Sequence, residues 1–171
     1  YFLTGRPPDE LLLTAAEKNT LGQPKVLETQ VRRLLADPRA HSLVTNFAFQ
    51  WLKLRALDDA DPDAILFPNF DDSLREAFKR EIELFVQSVF TEDRSALDLL
   101  TADYTFVNER LALHYGIPNV RASVFRRVTL SDQNRFGLLG KGGGLTVTSY
   151  ANRTAPVVRV ALVLDYLMGT P

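Results

Sequence analysis

The sequence predicts an all-α protein, an irregular multi-helix bundle of about six to eight helices with a glycine-rich loop region near residues 119–152. Three observations predict it. Apolar residues recur at three- and four-residue spacing over several long stretches, the mark of helices with one buried face. Capping residues, prolines and glycines fall where those stretches begin and end. The final stretch, Val157 to Met168, is apolar apart from Arg159, Asp165 and Tyr166, as a helix covered on most sides would be.

In PKVLETQVRRLLA, Pro24 suits a first helical turn, and Val26, Leu27, Val31, Leu34 and Leu35 share a face with the polar Gln30. Asp37 caps a restart with Pro38 at the first helical position, and Leu43, Val44, Phe47, Ala48, Trp51 and Leu52 form the next stripe. LDDADPDAILFPNF reads as an ordered loop with Phe67 and Phe70 turned to the core. DDSLREAFKREIELFVQSVF follows, with Ser73 and Glu76 at capping-box spacing and a wide face of Leu74, Ala77, Phe78, Ile82, Phe85, Val86, Val89 and Phe90.

TADYTFVNERLALHYGIPN predicts a helix capped by Thr101 or Asp103 and closed by Gly116, with Tyr104, Val107, Leu111 and His114 on one face. After Asn119 the pattern weakens. SVFRRVTL reads as a short extended piece, and SDQNRFGLLGKGGGL as either a glycine-weakened helix or a loop. A last helix spans residues 155–167; it threads the middle of the bundle or is covered by a partner beyond this segment.

Composition narrows the function classes. With 46% apolar and 24% charged residues and a net charge of -1, the chain is neither disordered nor a general nucleic-acid binder. No apolar run reaches the roughly 20 uninterrupted residues of a membrane span. The absence of cysteine excludes disulfides, thiolate metal sites and covalent haem attachment, so no cofactor is expected in the segment itself. GLLGKGGGL is the one stretch that suggests a nucleotide. Its spacing fails the phosphate-loop pattern, Lys141 is followed by Gly142 where a hydroxyl is needed, and Leu145 stands where a dinucleotide motif needs glycine. The glycines are expected to give flexibility or admit a close neighbour.

His114, near Asp103 and Glu109 in sequence, is the candidate for acid–base chemistry, since a carboxylate-held imidazole can move protons near neutral pH. A hydrogen-bonded interior histidine is the commoner role of such a residue. Positive charge concentrates in the last third, and Arg126, Arg153 and Arg159 are candidates for binding an anion or a partner's acidic rim, against pairing with the acidic helices of the first half. Ser149 lacks a nucleophile elbow, the aspartates around Asp58 lack calcium-loop spacing, and no metal cage is recognisable.

FAFQWLKLRAL, FPNFDDSLREAF, DLLTADYTFVNERLALHYGI and RFGLL followed by LTVTSYANRTAPVVR carry a resemblance to two neighbouring families. Residues 1–128 resemble the planctomycete-type domain-of-unknown-function family 1592, and residues 129–171 the beginning of family 1588. Two helical domains are thus expected, packed on each other. The resemblance implies an exported multidomain parent, periplasmic or extracellular, with neighbouring domains as partners, among them a cytochrome c domain carrying the haem. Tyr1 and the Met168-Gly169-Thr170-Pro171 end fit a piece of a longer protein. Where relatives read Arg-Thr-Ser-Pro-Val followed by Arg-Gly, this chain has Arg153-Thr154-Ala155-Pro156-Val157-Val158-Arg159-Val160, which lacks that serine. The expected role is an accessory or scaffold module; the alternative is part of an enzyme acting oxidatively or hydrolytically on an anionic polymer such as a polysaccharide.

Overall fold

The computed structural model describes residues 3–170. They form two compact units, one running to Phe47 and the other beginning at Ala48.

In the first unit an aspartate sets the chain direction. Asp9 is extended, and its carboxylate accepts the Leu12 amide at 3.0 Å, starting α1 (Glu10–Glu17). The same carboxylate receives both guanidinium nitrogens of Arg33, at 2.6 and 2.9 Å, from the last turn of α2 (Pro24–Leu35). Those bonds hold the Asp9 carboxyl below its usual range. Neither helix has a buried residue, and Leu11, Leu13 and Leu27 are exposed. Asp37 then caps a short 3-10 turn, Pro38–Ala40, as the sequence predicts. The stripe beyond it is a broken run. α3 (His41–Leu43) widens into a π-helical stretch, Val44–Ala48, and the chain tightens again as α4 (Phe49–Trp51), already in the second unit. The Thr45 hydroxyl lies 3.4 Å from the His41 and Ser42 carbonyls, the kind of side-chain back-bonding that loosens a helix.

The second unit is built on α5 (Asp72–Thr91). Asp71 caps it, accepting the Leu74 amide at 2.7 Å and the Ser73 hydroxyl at 2.8 Å, so Ser73, predicted to be the cap, supports it from two positions inside. Leu74, Ala77, Phe78, Ile82, Phe85, Val86 and Val89 are buried along one face, each large side chain contributing about 1.5–3 kcal/mol. Around that face pack Leu54 and Leu57 of a preceding 3-10 turn, β1 (Tyr104–Val107), α7 (Glu109–Tyr115) and α8 (Gly142–Val147). Phe70 reaches the core, its ring 6.5 Å from Phe78, whereas Phe67 stays 45% exposed.

The all-α expectation is wrong, because two antiparallel ribbons occur among the described residues. The first pairs β1 with β2 (Arg126–Thr129), Tyr104 opposite Thr129 and Val107 opposite Arg126. Tyr-Thr-Phe-Val is aromatic and β-branched, a composition that favours a pleated surface over a helix. The predicted single helix from Thr101 therefore divides into α6 (Asp98–Thr101), the strand, and α7. Asn108 caps α7 by accepting the Leu111 amide at 3.0 Å, and Gly116, at φ 70°, ends it as predicted. The second ribbon, β3 (Ser149–Tyr150) with β4 (Arg153–Thr154), lies within the expected loop region.

That region is also more ordered than a loop. Two 3-10 turns, Gln133–Arg135 and Leu138–Gly140, lead into α8, so the glycine run is helical. The last helix, α9 (Pro156–Leu162), continues in π-helical form over Val163–Met168 and ends at Gly169, φ 64°. It does not thread a core: none of its residues is buried, and Val157 is 82% exposed.

Candidate functional site

The chemistry-bearing side chains of the second unit meet on the inner face of α5. Glu81 lies four residues after Ala77, three after Phe78 and four before Phe85, so helical phase places it among the apolar residues, fully buried. Its two carboxylate oxygens are engaged separately. Oε1 accepts the Thr105 hydroxyl of β1 at 2.5 Å, and Oε2 accepts the Tyr115 hydroxyl of α7 at 2.6 Å. The Tyr115 oxygen in turn accepts the Gly142 amide at 2.7 Å. Since that lone pair is occupied, the phenolic proton points to Glu81, and Thr105 is the partner that can reverse if the carboxyl is protonated.

Lys141 completes the cluster. It is 1% exposed, donates to the Tyr104 carbonyl at 3.1 Å and sits 4.5 Å over the Phe85 ring. Burial pushes the Glu81 carboxyl up, opposed first by the Lys141 charge and then by the Thr105 and Tyr115 bonds. Burial pushes Lys141 down to about 8, opposed by Glu81. Tyr115 is raised well above the ordinary phenol value, by burial and then by the Glu81 charge. The common cause is removal of water from groups that ionise.

The glycines make this closeness possible. A Cβ on Gly142 would fall 2.2 Å from Phe78 Cε1, and one on Gly143 would fall 2.8 Å from Ile82 Cδ1. The space a phosphate would need beside these glycines is filled by the core of α5. At Gly137 the demand is on the backbone: φ is 56°, and a Cβ would lie 2.3 Å from the Leu100 carbonyl oxygen.

The cluster has a solvent-facing rim. His114 is exposed, with its ring edge-on to Phe78 at 5.3 Å and tilted against Tyr115 at 5.5 Å. Partial burial, then the charges of Arg135 and Arg110, hold its pKa below the ordinary imidazole value. The Arg135 guanidinium lies 4.6 Å over the Tyr115 ring.

The other sequence candidates have local partners. Glu109 accepts the Ala122 amide at 2.9 Å, closing the turn after α7. The backbone carbonyl of Asp103 receives the Leu130 amide at 2.6 Å at the end of the first ribbon, and the residue is exposed. Arg126 donates to the Arg121 carbonyl at 2.5 Å, Arg153 lies 5.2 Å over Tyr150, and Arg159 donates to the Thr148 hydroxyl at 3.3 Å beside an apolar recess lined by Leu52, Leu138, Leu145 and Leu162. Arg127 pairs with Glu92, just past the end of α5 and not in the first half of the chain, its guanidinium also lying 4.5 Å over Tyr104. Among the described residues no group of three or more His, Asp or Glu could hold a metal ion.

Sequence reasoning missed Glu81 and Tyr115, and placed Arg135 only within the basic last third of the chain. The signal for Glu81 was present: a carboxylate at the centre of an apolar helical face has to find partners. Nothing local marks Tyr115 or the place of Arg135 on its ring, because both depend on a segment folding back across α5.

A family model described as PSD4, protein of unknown function (DUF1592), matches residues 1–117. No curated protein and no solved structure matches the chain.

Proposed function

The chain belongs to the PSD4 (DUF1592) family, and we propose that it is an accessory module of a multidomain bacterial protein, docking through its last helix on a neighbouring domain. The observation that carries this reading is the uncovered apolar surface of α9 and its continuation. Val157, Val158, Val160, Leu164 and Met168 are respectively 82%, 39%, 57%, 39% and 65% exposed. An apolar strip of that kind on a folded helix marks an interaction surface. Ile65 and Leu66 add to the exposed apolar area, 90% and 56% accessible, in a loop whose Asp63 amide bonds the Ala151 carbonyl in the turn between β3 and β4.

The sequence resemblance adds the finer parts of the proposal. Residues 129–171 open a domain of the 1588 type, the parent is exported to the periplasm or beyond, and in cytochrome-bearing parents the docking neighbour is the cytochrome c domain. This chain holds no cysteine and so has no thiol for covalent haem attachment; any such haem belongs to the neighbour.

The cysteine-free sequence also allows a direct test. Val160→Cys is labelled with a thiol reagent in this segment alone and in the full-length parent, and the labelled peptide is followed by mass. Labelling at least about tenfold slower in the parent is the expected result for a covered position. Equal rates would overturn the docking role of this helix.

A further inference from the structure

We propose that Arg135, with His114 and Arg110 beside it, forms a binding site for a single carboxylate group. Arg110 and His114 are one turn apart on α7 and so share a face, and Tyr115, the next residue, carries Arg135 on its ring at 4.6 Å. Arg135 and His114, from two separate segments, thus meet at the Tyr115 ring, with the Arg110 charge acting on His114. The site is independent of the docking surface on α9.

Charge compensation at this place is incomplete. Arg110 is neutralised by Asp71, 3.2 Å away, and also bonds the Asn69 carbonyl. Arg135 has no carboxylate within ion-pair distance among the described residues; its hydrogen bond there is a long one, 3.4 Å to the Gly140 carbonyl. The acid that feels its charge is Glu81, fully buried, with both oxygens already taken by Thr105 and Tyr115. Lys141, buried and near enough to feel the Arg135 charge, adds a further cation. Arg33, Arg39, Arg94 and Arg127, by contrast, are each paired with an acid.

Geometry selects the ligand class. The Arg135 guanidinium, over the Tyr115 ring and with one long hydrogen bond, keeps donors free for a second partner, and its planar fork matches a two-oxygen anion bidentately. The Arg135 backbone is held in place, because a Cβ on Gly140 would fall 2.4 Å from its carbonyl carbon, leaving these two segments in direct contact. His114 supplies a second donor when protonated, and a bound anion would favour that protonation.

The chain contains two histidines, so the site carries its own reporter. His114 is titrated by NMR in acetate and in chloride at matched ionic strength, with His41 of the other unit as internal reference. The groups facing His114 besides the probe are Arg110, Arg135 and Tyr115, with Asp71 bonded to Arg110, Glu81 bonded to Tyr115 and Lys141 acting on Glu81. Acetate is expected to move the His114 midpoint up, saturably, by about half a pH unit or more while His41 is unchanged. Arg135→Lys, which keeps the charge and loses the fork, should weaken that saturation by about tenfold. His114→Gln, observed through the Arg135 side-chain signals, should leave acetate binding detectable, showing that the fork is the primary contact. Equal effects of chloride and acetate, or an unaltered response in folded Arg135→Lys, would overturn the site.

Discussion

At Lys141 burial and a carboxylate act in opposite directions on one ammonium, and burial wins, taking its pKa from 10.5 to about 8. The folded protein therefore holds this proton less tightly than the unfolded chain does. Between about pH 8 and the unfolded value the unfolded state binds more protons, so this residue makes stability rise with pH across that window. Below about pH 8 the full penalty of burying the charge is present. Urea melts stepped from pH 8 to 9.5, below the range of unfolded tyrosines, should show a rise for the wild type that Lys141→Met lacks, at most about 1.4 kcal/mol per pH unit. Parallel curves for the two proteins would show that Lys141 keeps an ordinary pKa. Glu81 behaves in the opposite sense: its carboxyl is raised, so its contribution is present below the unfolded value and is lost as pH rises through the folded one.

Among the elements, α8 is the clearest case of packing overriding propensity. Three consecutive glycines are poor helix formers, yet Gly142 and Gly143 are buried against Phe78 and Ile82 with no room for a methyl group. Gly144 has 3.6 Å to its nearest neighbour, the Leu138 carbonyl oxygen. Gly142→Ala should therefore cost about 2 kcal/mol or more through forced displacement of the Phe78 ring, while Gly144→Ala should be neutral or stabilise by up to about 1 kcal/mol. Thermal melts of the two variants decide it; equal destabilisation would mean that α8 does not lie against α5 in this way. The same contrast explains what was legible in the sequence. α5 could be read because its cap, its spacing and its length are local properties. β1 could not, since its partner Arg126–Thr129 lies far along the chain, Tyr104 facing Thr129 and Val107 facing Arg126, pairs joined only by the fold. Glu81 was readable from phase alone, whereas Arg135 acquires a role only when its turn reaches Tyr115.

For the molecule as a whole, burial is unequally shared. The second unit holds Phe78, Phe85, Leu54, Leu57 and Leu111 at 2% exposure or less, while α1 and α2 have no buried residue. Asp9, the cap of α1, is tied to α2 by its pair with Arg33, partly open to water and correspondingly weak. Hydrogen exchange should be at least about 100-fold slower at the centre of α5 than in α1, since local opening there exposes little apolar surface. Uniform protection would mean that the first unit shares the stability of the second. The boundary of the matched family region gives these contacts a practical meaning. A fragment trimmed at residue 117 would keep Tyr104 and Glu81 but discard Arg126–Thr129, Lys141 and Gly142. It would present the bare hydrogen-bonding edge of β1 to every other copy in the tube, and shorten the core just where its acid is hidden. Expression boundaries drawn from sequence likeness alone would thus manufacture an aggregating protein out of a folded one.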